Sequence, residues 1–105
     1  MRAGPLKQVI AEIDAELRDD DVGLWVVVRA LRDRESDFEG TDIRLLAAHV
    51  CRALQPHGVS LGQFTTDGNF DEWPVESSVD RMLIEWCDLG RDPDIAEVAW
   101  LRRRG

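Results

Sequence analysis

The sequence predicts an α+β fold, and three observations carry that prediction. Four stretches place apolar residues at three- and four-residue steps, the spacing of helices that each bury one face. Between the third and fourth lies Asp67-Gly68, flanked by Thr65-Thr66 and Asn69-Phe70, a turn signature that joins two short strands. Near the end, Glu97-Val98-Ala99-Trp100 alternates as a strand does and supplies a third strand to that hairpin. A recognition-type helix from Thr41 followed by a β-ribbon has the outline of a winged helix. The expected architecture is therefore winged-helix-like, with about four helices and a small three-stranded antiparallel sheet.

The first helix opens near Pro5, whose missing N–H would have had no partner in a first turn. Leu6, Val9, Ile10, Ile13 and Leu17 form its stripe, and Asp19-Asp20-Asp21 ends it. In Leu24-Trp25-Val26-Val27-Val28 the valines favour a strand, but Leu24, Val27, Val28 and Leu31 keep helical spacing. Residues 24–34 are accordingly read as helix. A loop over residues 35–40 leads to Thr41, placed to cap the next helix through its hydroxyl. Ile43, Leu46, Ala47, Val50, Cys51 and Leu54 make the cleanest stripe, and Pro56 and Gly58 stop it.

The hairpin follows. Asp67-Gly68 suits a two-residue type I′ loop, in which both residues take positive φ, and Phe70 and Trp73 continue the return strand until Pro74. Ser77 and Asp80 resemble a capping box ahead of Val79, Met82, Leu83, Trp86 and Leu89, a stripe that runs to Gly90. The segment from Asp92 begins as a helix N-terminus does, which keeps a helix over residues 95–101 as the alternative, but its closing alternation favours a short turn and then a strand that closes the sheet. All 105 residues form one domain, since a second core would leave each too small, with residues 102–105 a frayed tail.

Gly23-Leu24-Trp25, then Phe64-Thr65-Thr66-Asp67-Gly68 with Phe70 and Trp73, then Glu85-Trp86 and Leu89-Gly90-Arg91-Asp92-Pro93 with Ile95, Glu97 and Trp100 form a spaced signature. It resembles that of a group of small uncharacterised bacterial proteins, over Asp21 to Leu101. Ala96 stands where that pattern has Gly, and Leu101 where it has Phe. The resemblance implies no activity, cofactor or catalytic residue.

Charge narrows the function. The chain carries 21 acidic against 13 basic residues, a net of -8, and no Lys or Arg occurs from Ala53 to Asp80. Such a field repels phosphate and anionic membranes and attracts cations. Cys51 and Cys87 lie in separate helices without CxxC spacing and read as buried free thiols. No apolar run reaches the roughly 20 residues of a membrane span, and the first residues lack a signal-peptide core, so the expected location is cytoplasmic.

Catalytic and metal chemistry find little support. His49 and His57 lack the nucleophile and orienting acid of a triad. Asp67-x-Asn69-x-Asp71 opens like a calcium loop, but Glu72 takes the place of its turn glycine and Ser78 that of its closing Glu. No zinc spacing is present. No metal, cofactor or catalytic residue is assigned, although Asp71 and Glu72 leave a small acid-using enzyme as one alternative. A DNA-binding regulator is another, with Arg44 and Arg52 on the third helix, but the ribbon places Asp67, Asp71 and Glu72 where a binder needs cations. The expectation is a non-catalytic acidic module for a basic protein partner, of the immunity or antitoxin type. Asp67, Asp71 and Glu72, with Trp73 at the ribbon's end, are the candidate contact residues, although packing of Trp73 under the hairpin is the favoured alternative for that side chain. The free hairpin edge also admits a homodimer.

Overall fold

The computed structural model describes residues 3–104, and each of the four stripes folds as a helix: α1 Ala3–Glu16, α2 Leu24–Arg32, α3 Ile43–Leu54 and α4 Val75–Leu89. Four strands, β1 Val22–Gly23, β2 Val59–Phe64, β3 Phe70–Glu72 and β4 Trp100–Arg103, form one antiparallel sheet in the order β1-β4-β2-β3. The α+β class stands, with four strands instead of three.

One core joins the elements. Leu6, Val9, Ile13 and Leu17 of the first stripe pack with Leu24, Val27, Val28 and Leu31, with the α3 stripe, and with Val79, Met82 and Trp86. Val22, Val59, Leu61 and Leu101 add the helix-facing side of the sheet. A fully buried Leu or Val contributes roughly 1.5–3 kcal/mol, whereas an exposed i,i+4 pair such as Asp14–Arg18 contributes a few tenths. Burial of the stripes, not surface charge, therefore holds the helices.

Strand register fixes the two faces of the sheet. Leu101 stands opposite Val22 on one side and Leu61 on the other, so these three point together into the core. Gly62 pairs with Trp100 and Ser60 with Arg102, which turns Trp100 and Arg102 to the opposite face. Residues 102–104 are not a frayed tail: Arg102 and Arg103 belong to β4, and the Arg104 N–H donates to the Gly58 carbonyl at 2.7 Å. Gly105 lies outside the described residues.

Local details correct several expectations. Asp42, not Thr41, caps α3, its carboxylate accepting from the Arg44 N–H at 2.9 Å; a charged acceptor sits one residue nearer the helix. Helix α4 starts at Val75 behind Pro74, so Ser77 and Asp80 lie inside it and form no capping box. Helix α1 begins before Pro5. Val22–Gly23 is a strand only because β4 pairs with it, and the first α2 amide, that of Leu24, donates to Ala99 at 3.0 Å. Residues 24–32 are helical, as spacing indicated, and Gly58 closes α3's exit at φ 83.

The hairpin turn differs from the expected type I′. Phe64 pairs with Phe70, the Gly68 N–H donates to Thr65 at 3.0 Å, and only Gly68 is left-handed, at φ 84. A longer loop with one left-handed glycine relieves Asp67 of positive φ. Strand β4 starts later than the alternation suggested, because residues 94–99 are taken up by tight turns. Ala99 donates to Glu97 at 2.9 Å across Val98, whose φ is 68, and Ala96 has φ 66. Each such conformation costs an L-residue roughly 1–2 kcal/mol. Gln63 Nε2 holds the turn by donating to the Ala96 and Val98 carbonyls, 3.3 Å each.

Two stability changes are expected from this geometry. A Cβ on Gly62 would stand 2.2 Å from the Asp71 carbonyl oxygen, so Gly62→Ala should destabilise by about 3 kcal/mol in urea denaturation. Ala96→Gly removes a left-handed alanine, and its denaturation midpoint should rise, by the equivalent of up to about 1 kcal/mol.

Candidate functional site

The hairpin delivers its acids to solvent and keeps its tryptophan. Asp67, Asp71 and Glu72 are exposed, whereas Trp73 is only 2 % exposed. Trp73 is therefore not a surface anchor. Its backbone N–H donates to the Leu61 carbonyl at 2.8 Å, continuing the β2–β3 ladder, so the side chain falls on the helix-facing side with Leu61. The Arg81 guanidinium covers its ring at 4.2 Å from the centroid. Glu72 is not free either, since Arg104 stands 3.6 Å away. Asp67 and Asp71 remain without a basic partner among the described residues.

The face of the sheet turned from the helices carries a row of aromatics. Trp25 meets Trp100 edge-on at 4.9 Å, Trp100 meets Phe64 at 5.2 Å, and Phe64 meets Phe70 at 5.4 Å, all four partly exposed. Glycines make room for this row. The Trp25 ring comes within 1.6 Å of where a Gly23 Cβ would lie, and Phe70 within 2.8 Å of that of Gly62. Arg102 lies over Phe70 and Phe64, at 5.1 and 5.8 Å, while bonding Asp21 at 3.2 Å. The alternation Gly62-x-Phe64 against Trp100-x-Arg102 was the available signal, legible only once the two strands are known to be neighbours.

Electrostatics on the surface are one-sided. Ten of the eleven arginines among the described residues have a carboxylate within 4.0 Å, Arg29 being the exception. Those contacts engage ten of the 21 acids; the other eleven are all exposed and have no such partner among the described residues. Free surface charge is thus almost entirely negative. Arg103 bonds the Asp14 carboxylate and the His57 carbonyl, and that guanidinium holds the Asp14 carboxyl below its ordinary range. Paired chiefly with Arg91, at 2.7 and 2.8 Å, and bonded by the Asp94 N–H, Glu97 is lowered to about 2.

Other groups bring no reactive set together. A cleft of about 330 Å³ between the ends of α2, α3 and α4 gathers Arg32, Arg44, Arg91 and Cys87, but those guanidiniums are held by Asp92, Asp42 and Glu97. Cys87 is exposed there, contrary to the buried thiol expected of it, because it lies on the α4 flank turned from the core. Cys51 is buried, donates weakly to Met82 sulfur at 3.8 Å, and has its thiol pushed up to about 12 by desolvation. His49 and His57 are exposed. Among the described residues no three His, Cys, Asp or Glu side chains are grouped to hold a metal, and no helix is long and apolar enough to cross a membrane.

Trp73→Ala should lose about 3–5 kcal/mol of stability in denaturant titration, as a core truncation does, where a surface contact would lose under about 0.5 kcal/mol. Glu97, depressed on folding, stabilises the protein above its ordinary pKa of 4.5, and that contribution drains away as pH falls from there to about 2. Glu97→Gln should accordingly show a shallower loss of stability than the unmodified chain over that window.

Comparison with models of protein families, with curated proteins and with solved structures finds no match to this chain, so the winged-helix likeness rests on element order alone and function on the surface itself.

Proposed function

We propose that this protein is a non-catalytic interaction module that binds a cationic protein surface, as an immunity or antitoxin-type protein would. The observation that carries this reading is the partition of charge: nearly every arginine is spent on an internal carboxylate, and eleven exposed acids are left over. Such a field accelerates encounter with a positive partner and rejects negative ones. The hairpin adds the exposed Asp67 and Asp71, and the outer face of the sheet adds the partly exposed Phe64, Phe70 and Trp100 as rigid aromatic area. Two free cysteines suit a reducing cytoplasm.

A DNA-binding role is the weaker reading. Arg44 and Arg52, the cations of α3, already hold Asp42 and Asp80 at 2.9 and 3.2 Å. Aromatic stacking of single-stranded bases is disfavoured as well, because the sheet-face rings meet one another edge-on and lie on Gly23 and Gly62.

Affinity capture at about 50 mM salt should retain a basic protein whose binding weakens steeply as salt rises. The double change Asp67→Lys, Asp71→Lys should slow association with it about tenfold and leave the denaturation midpoint nearly unchanged. Retention of duplex DNA in place of a basic protein would remove this reading.

A further inference from the structure

Two isoleucines, Ile84 at 62 % and Ile95 at 66 %, are among the most exposed large apolar side chains of the described residues. Between the elements that carry them opens a cleft of about 410 Å³, lined by Leu89 and Val98 with Glu85, Asp88 and Glu97. Ile84 stands one helical turn before Asp88 on the same flank of α4. Ile95 belongs to the turn that forms the opposite wall. We propose that this cleft receives a cationic, partly apolar segment of a partner protein: an arginine or lysine whose stem lies across Leu89 and Val98 while its head meets Asp88 and Glu85.

Charge selects that occupant. Glu85, Asp88 and Glu97 line the cleft, with Asp94 next to it through its N–H bond to Glu97, and only Arg81 and Arg91 offset them, at 2.8 Å from Glu85 and 2.7 Å from Glu97. Asp88 and Asp94 have no basic partner among the described residues. An acidic or purely aliphatic segment would leave those carboxylates facing apolar groups or like charge; a long basic side chain satisfies floor and rim together, its methylenes on apolar surface and its charge at the edge. The wall is built rather than slack. Val98 and Ala96 are held at positive φ, Gln63 fastens both carbonyls, and Arg91 fixes Glu97, so the cleft is formed before any partner arrives. The arginine-lined cleft at the other side of α4 offers no such selection, because its own carboxylates already neutralise it.

This site rests on the reading of the protein as a binder of basic partners, and the test separates the two. A four-repeat Leu-Arg peptide would be titrated into isotopically labelled protein at about 50 mM salt and followed by amide chemical shifts. The site predicts saturable shifts at Glu85, Asp88, Leu89 and Val98, no comparable shifts from a Leu-Glu peptide, and about fivefold weaker binding for Asp88→Lys. Saturable shifts centred on Asp67 and Asp71 and indifferent to Asp88→Lys would overturn the cleft while keeping the interaction reading. Equal shifts from the Leu-Glu peptide would overturn the charge selection, and no saturable shift from either peptide would overturn both.

Discussion

The placement of β4 between β1 and β2 is the constraint on which the rest of the molecule depends. Leu101 is fully buried with Val22 on one flank and Leu61 on the other, so the last strand joins the segment before α2 to the hairpin after α3. Without it, Val22–Gly23 has no ladder, the Leu24 amide loses the Ala99 carbonyl, and the hairpin stands as an isolated ribbon, which is marginal in water. Closing a sheet through its final strand also means that long loops must be ordered before the pairing is rewarded. The turn before β4 is correspondingly over-determined, with Gln63 and Arg91 both fastening it.

The same strand organises the electrostatics. Arg102, Arg103 and Arg104 look like a basic terminus, yet they reach Asp21, Asp14 and Glu72, groups distributed across the first three-quarters of the chain. Each exposed pair contributes at most about 1 kcal/mol, so none of them decides the fold. Their larger consequence is subtractive. Cations absorbed internally cannot offset the remaining carboxylates, and the outer surface becomes more uniformly acidic than a net charge of -8 spread over mixed neighbours would be.

Legibility in the sequence followed the range of each interaction. Helical stripes at Leu6–Leu17, Leu24–Leu31, Leu46–Leu54 and Val79–Trp86 are periodic within themselves, and all four fold as helices. The hairpin was also legible, although its turn was not, because a longer loop frees Asp67 from the positive φ that a two-residue loop would impose. Asp42 displaced Thr41 as the cap for a reason sequence leaves open, since either oxygen can serve and a one-residue shift of the helix start decides between them. Of the two readings the sequence left for Trp73, packing under the hairpin holds, because alternation along β3 sends Glu72 to the outer face and Trp73 beneath Arg81.

Composition and periodicity alone determined the α+β class, the helix positions and the acidic character, because these depend on residues close in sequence or on counts. Tertiary structure alone decided which face each strand shows, which arginines are silenced and where Trp25, Phe64, Phe70 and Trp100 collect. Strand order, and with it the choice of neighbour for every outward side chain, is set by pairing between segments far apart in the chain. The partition of 21 carboxylates into paired and free ones, from which the functional reading comes, is a property of that pairing and not of the list of residues.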